Sequence, residues 1–191
     1  MTLELGGTLC IGAIVVGGAI LVAGILYFVY NRMVTLKNRA ENAWAQIDVQ
    51  LKKRNDLVPN LVETVKGYAT HEKSTFENVT KARAQMMAAG TVAGKAKASG
   101  MLTNALKSLF AVSENYPDLK ASQNFMMLQE ELSGIENKIA YARTAYNDSV
   151  YHYNNTQQVL PYVIFAAMLG HKKREYFETA ESEKKVPAVK F

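Results

Sequence analysis

The stretch FMMLQEELSGIENKIAYARTAYNDSVYHY, residues 125–153, decides the fold. Phe125, Leu128, Leu132, Ile135, Ile139, Ala142 and Tyr146 recur at alternating steps of three and four, and Val150 and Tyr153 continue the series. Side chains three and four apart share one face of an α-helix, so this spacing writes a single apolar stripe with polar residues on the other face. Between Ser122 and Gln158 there is no proline, and Gly134 is the only glycine. At 1.5 Å per residue the spacing predicts a rod of roughly 55 Å. One stripe buries one face, so the rod needs partner helices, in a bundle or a coiled coil. Packing within one chain is favoured over an intermolecular coiled coil.

Upstream the same period returns. Ala40, Trp44, Ile47 and Leu51 step by four, three and four, and the stripe resumes past Pro59 at Leu61, Val65 and Tyr68, then at Phe76 and Val79. Pro59 lacks an amide hydrogen and costs about 3 kcal/mol inside a helix but is tolerated in a first turn. With Asn55 or Asp56 able to cap a new start, Pro59 is expected as a hinge, either a sharp kink or a break, between an arm at 34–55 and the bundle. Gly90, Gly94 and Gly100 in MMAAGTVAGKAKASG mark a loop, followed by a shorter helix at 101–112 with Leu102, Leu106, Leu109 and Phe110 on one side. Pro117 in SENYPDL ends that helix, and Asp118 or Ser122 caps the next.

The N-terminal end has a different character. Leu5 to Asn31 carries no charge, and Leu9 to Tyr30 is nearly all apolar. Twenty-two helical residues rise about 33 Å, enough for a hydrocarbon core of about 30 Å. No basic residue precedes the run and no small-x-small site ends it, so a retained anchor is expected rather than a cleaved signal. Tyr27 and Tyr30 suit the headgroup boundary, and Arg32, Lys37 and Arg39 follow it, which by the positive-inside rule places the C-terminal part in the cytoplasm. Ala13, Gly17, Leu21 and Gly24 form a small-residue stripe through which spans approach closely, the expected oligomer contact within the membrane.

At the other end, VLPYVIFAAML, residues 159–169, is apolar nearly all round but too short to cross a bilayer. Val163, Ile164, Phe165 and Met168 are expected to meet lipid or another chain, with Lys172, Lys173 and Arg174 placed for anionic headgroups. Gly170 is the stop signal, and a polar, loosely held tail follows.

Chemistry is hard to find. His71, His152 and His171 have no ligand partner at helical spacing, the serines lack a nucleophile elbow, and no phosphate-cradling loop or paired carboxylates occur. The single cysteine, Cys10, excludes an internal disulfide, and Leu9 before it argues against lipidation. The net charge of +5 is mild and interleaved: Lys52, Lys53 and Arg54 are followed by Asp56, which reads as a solvated face rather than a nucleic-acid patch. Tyr141, Tyr146, Tyr151 and Tyr153 with Asn147, Asn154 and Asn155 either line a binding groove or cap a thin core, and the second is favoured.

Three segments together resemble the LemA family of bacterial membrane proteins: NRAENAWAQIDVQLKKRNDLVPNLVETVKGYATHE (38–72), YPDLKASQNFMMLQEELSGIENKIAYARTAYNDSVYHYN (116–154) and REYFE (174–178). The resemblance implies one N-terminal anchor and an elongated helical bundle, with no enzyme activity and no cofactor. Residues 159–169 depart from the family in being more apolar.

The chain is therefore expected to be all-α: a transmembrane helix and short N-terminus (1–31), an elongated antiparallel bundle of long helices (32–158), and an apolar short helix with a polar tail (159–191). No catalytic residue, metal or cofactor is expected, and no nucleic acid. The expected function is a membrane-anchored scaffold of the bacterial inner membrane, single-pass, that self-associates as a homo-oligomer and organises or shapes the bilayer. The alternative is an adaptor that recruits a membrane protein, such as a protease, through the Tyr/Asn-rich face.

Overall fold

A computed structural model describes residues 2–178, with side chains from Gly12 onward. The polar tail and the side chain of Cys10 lie outside the described residues. Among the described residues the chain is all-α and has no strand. The helices are α1 (Thr2–Lys66), α2 (Lys73–Ala88), α3 (Val92–Ser113), α4 (Pro117–Lys120), α5 (Gln123–Thr156) and α6 (Tyr162–Met168). Packing divides the chain into two units: Met1–Glu41 with Tyr151–Arg174, and Asn42–Val150 with Glu175–Phe191.

The stripe on residues 125–153 is buried almost throughout. Phe125, Leu132, Ile135, Ile139, Ala142, Tyr146, Val150 and Tyr153 are buried, and Leu128 is partly so. Helix α1 carries a matching stripe. Val29, Met33, Leu36, Ala40, Ala43, Ile47, Leu51, Arg54, Val58, Leu61 and Val65 are all buried, at steps of three and four. In the second unit Val58, Leu61 and Val65 share one core with Phe76 and Val79 of α2, Leu102, Leu106 and Leu109 of α3, Leu119, and Phe125 and Leu132 of α5. Each fully buried Leu or Phe contributes about 1.5–3 kcal/mol.

Pro59 does not break the helix. Helix α1 runs from Thr2 to Lys66 with Pro59 inside it, and Val58 and Leu61 on either side are buried in the same core. The reason lies on α2. A proline at 59 deprives the Asn55 carbonyl of its helical donor, and Arg83 Nε donates to that carbonyl at 3.2 Å instead. The chain turns later than expected, at Gly67 after Lys66, so Tyr68 lies beyond the helix and is exposed.

The loop expected over the glycines is also corrected. Only Ala89–Thr91 separate α2 from α3. Thr91 caps α3: its Oγ1 accepts from the Gly94 amide at 3.0 Å, and a Cβ on residue 94 would lie 2.9 Å from that oxygen. Glycine inside a helix costs about 0.5–1 kcal/mol relative to alanine, which three buried leucines on one face outweigh. The stop before Pro117 holds, because α4 starts at that proline and α5 starts after Ser122, whose carbonyl accepts from the Met126 amide at 3.1 Å.

Replacing Arg83 with Met orphans the Asn55 carbonyl and should cost about 1 kcal/mol or more in denaturant unfolding. In a Pro59→Ala background the helix supplies its own donor, and the loss should shrink. Equal losses in the two backgrounds would overturn this account of Pro59.

Candidate functional site

In the first unit α6 is folded against α1. Tyr162, Phe165 and Ala166 pack on Val29, Met33, Leu36 and Tyr153. The helix ends in a Schellman turn: His171 N–H donates to Ala166 O at 3.0 Å, Gly170 N–H to Ala167 O at 3.4 Å, and Gly170 takes a positive φ of 68°. Only glycine enters that region without strain. The other side of the segment is uncovered. Leu160, Ile164 and Met168, four apart, are 75%, 55% and 78% exposed, and Val163 and Leu169 are exposed beside them. Thus Val163, Ile164 and Met168 face outward as surface, whereas Phe165 turns inward.

The three basic residues after α6 do not act alike. Lys172 and Lys173 are exposed. Arg174 is held by its own unit: its guanidinium pairs with Glu41 and lies 5.7 Å from the ring centroid of Tyr153. The Tyr153 hydroxyl is 2.9 Å from His171 Nδ1. Burial pushes the Tyr153 phenol above its ordinary pKa, partly offset by Arg174, so it stays protonated at neutral pH.

Two of the three asparagines for which a binding groove is the less favoured alternative, Asn147 and Asn154, are engaged by the chain itself. Asn154 Oδ1 accepts from the Arg174 amide and its Nδ2 donates to the Arg174 carbonyl, both at 2.9 Å. In the second unit Asn147 does the same for Phe177, at 2.9 and 3.2 Å. There the Tyr146 hydroxyl donates to Glu175 O at 2.9 Å, and the Phe177 ring lies 6.1 Å from that of Trp44.

The second unit also contains a residue that the sequence reading misplaced. The interleaved charge of Lys52, Lys53 and Arg54 predicts a solvated face, yet Arg54 is 1% exposed. Nη1 donates to Thr103 Oγ1 at 3.0 Å and pairs with Glu136, while Nη2 donates to Ser99 O and Ser99 Oγ at 3.0 and 2.8 Å. The signal was present: Arg54 lies three after Leu51 and four before Val58, on the apolar stripe. A polar cleft of about 130 Å³ adjoins the pair, lined in part by Ser99, Thr103, Glu136, Arg143 and Glu178. Lys95 pairs with Asp48 and lies 5.6 Å from the ring centroid of Trp44.

Along α1 the residues from Gly12 to Phe28 are exposed. This part is long and apolar enough to cross a membrane. Ala13, Gly17, Leu21 and Gly24 all lie on that uncovered surface, and a Cβ added at Gly17 or Gly24 would meet nothing within 4 Å. Among the described residues no three His, Cys, Asp or Glu side chains converge on a metal-sized point.

Residues 43–191 match the LemA family, and the chain belongs to it. Among similar proteins, Magnetosome protein MamQ of Magnetospirillum gryphiswaldense is 28% identical over 174 residues, covering 78% of this chain and 64% of the relative. Magnetosome protein MamQ 1 of Paramagnetospirillum magneticum is 27% identical over 175 residues, with the same coverage. Protein LemA of Metamycoplasma hominis is 27% identical over 133 residues, 67% of this chain and 61% of the relative. The chain thus spans just under two thirds of the length of the MamQ proteins it matches.

The two partners of the buried pair should respond differently to truncation. Glu136→Ala strips a buried guanidinium of its carboxylate and should cost about 2–3 kcal/mol, less than the ~3–5 kcal/mol of a fully buried pair because Glu136 is 49% exposed. Arg54→Met leaves an apolar side chain on an apolar stripe and should cost less. Urea midpoints that rank the two in the opposite order would refute this.

Proposed function

We propose that the protein is a non-enzymatic scaffold, anchored in the bacterial inner membrane by α1, that self-associates and organises or shapes the bilayer. The observation that carries this reading is the uncovered apolar stretch of α1, residues 12–28, in the same helix that farther on builds a packed core. Water does not tolerate an apolar surface of that size, and lipid does. Ala13, Gly17 and Gly24, with Leu21 between the glycines, put three small residues on one stripe of this surface, where a second copy can approach. Arg54, Lys95 and Arg174 are tied into structure, in the Arg54–Glu136, Lys95–Asp48 and Arg174–Glu41 pairs. None of the names borne by the relatives above denotes a reaction. Arg32 and Lys37, exposed just past the span, support a cytoplasmic C-terminal domain.

The adaptor reading keeps one support. A groove of about 680 Å³ between α1 and α5 is lined by Ala45, Val49, Gly134 and Tyr141, and Tyr141 is 79% exposed. The rest of the Tyr/Asn face is less suited to a partner, since Asn147, Asn154 and Tyr146 bind the chain's own backbone.

The detergent-extracted protein should run as a particle larger than a monomer. Gly17→Leu with Gly24→Leu should shrink it without impairing insertion, because both changes add hydrophobicity. A monomeric wild type removes the scaffold and leaves the adaptor. In the same preparation scheme, a cysteine at Met127, 61% exposed, in a Cys10→Ser background should resist an impermeant thiol reagent in intact cells. Labelling before lysis would reverse the orientation.

A further inference from the structure

We propose that residues 159–173 form a lipid-headgroup docking surface, with α6 lying in the plane of the bilayer surface beside the point where α1 leaves it. The proposal rests on α1 being the membrane span. Position comes first. Helix α6 packs on Val29, Met33 and Leu36, the turns of α1 that directly follow its uncovered apolar part. From Val29 to Leu36 the helix rises about 10 Å, comparable with the ~5–8 Å headgroup layer on one side of a ~30 Å hydrocarbon core. Tyr27, Phe28 and Tyr30, all exposed on α1 at that end of the span, put aromatic rings in the same band.

Surface chemistry comes second. Tyr162, Phe165 and Ala166 are used to hold α6 in place, which leaves Leu160, Ile164 and Met168 on the outward side. An outward side facing water would carry polar groups at these positions. Seven helical residues rise about 10 Å, far too little to cross the core, so the segment is suited to lie along the surface.

Charge comes third. Residues 159–174 contain no carboxylate, while Lys172 and Lys173 are exposed directly after the Gly170 turn. Apolar side chains beside exposed lysines, of which Lys173 also donates to Gln158 Oε1 at 3.3 Å, match an anionic headgroup layer, with acyl chains beneath for the former and phosphates above for the latter. The continuity with the span's own lipid-facing surface selects a bilayer as the occupant over a second protein.

The test uses the full chain reconstituted in phosphatidylcholine vesicles with and without phosphatidylglycerol. In a Cys10→Ser background, an environment-sensitive fluorophore is placed on Ile164→Cys and, separately, on Leu21→Cys within the span. Lipids with a quencher near the headgroup should quench the label at 164, and lipids with a deep quencher the label at 21. Adding phosphatidylglycerol should increase quenching at 164, and Lys172→Gln with Lys173→Gln should abolish that increase. A label at 164 in water, with 21 quenched, overturns the docking surface and leaves the anchor intact. A label at 164 that is dry but blind to both quenchers means protein covers it, which also overturns the proposal. An unquenched label at 21 brings down the anchor reading itself and this proposal with it.

Discussion

A guanidinium removed from water must find acceptors on all sides, and Arg54 finds them on two other helices. Ser99 and Thr103 come from α3 and Glu136 from α5, so one side chain of α1 fixes the packing of three helices in its unit. Apolar stripes alone leave a choice, since Leu against Leu packs nearly as well one turn along. A slip of α3 by one turn would set the guanidinium against apolar Leu102 or Leu106 and leave a buried charge without acceptors. Such a penalty runs to several kcal/mol. The pair therefore acts on register more than on net stability, as a polar group in an apolar seam does elsewhere. Ala96, Ser99 and Gly100 of α3 line the polar cleft beside the arginine's partners.

The first unit has another logic. There the apolar surface exceeds what the unit itself covers. Part of it, Val29, Met33 and Leu36, is closed over by α6 and Tyr153, and the polar groups below are paired among themselves through Arg174, Glu41 and His171. Burial raises the Tyr153 phenol further above its ordinary range, with Arg174 partly offsetting it. Between residues 159 and 174 the exposed side chains are apolar or basic, and none is acidic.

Long-range order was legible wherever one physical rule acted alone. The three–four spacing from Phe125 to Tyr153 named the buried face of α5 almost residue by residue, because a helix with a single apolar stripe has only one way to bury it. The LemA resemblance, resting on residues 38–72 and 116–154, pointed to the same all-α architecture. Legibility failed where two rules competed. Lys52 and Lys53 made Arg54 look like part of a solvated patch, although its register on the stripe said otherwise. Pro59 looked like a boundary because its remedy, Arg83, lies 28 positions away in another helix. Gly94 and Gly100 looked like loop residues because propensity is weak and tertiary packing overrides it. Among candidate contact residues, Ile164 and Met168 were legible as outward-facing. Arg174 was not, because its partner Glu41 is 133 positions distant.

The asparagine clamps grip the backbone and ignore what it carries. Each of Asn147 and Asn154 offers one acceptor and one donor to the amide and carbonyl of a single residue, Phe177 or Arg174. Any amino acid with a free N–H satisfies that pattern, so as far as the clamps are concerned the identity of the clamped residue is open, with proline alone barred. The asparagines enjoy no such freedom. Aspartate keeps the acceptor and loses the donor, leucine loses both, and glutamine is a methylene too long. What restricts the side chains at 174 and 177 is therefore something other than the clamps, the Glu41 pair for Arg174 and the Trp44 ring for Phe177, while the helix that receives the two segments is fixed chemically by four hydrogen bonds.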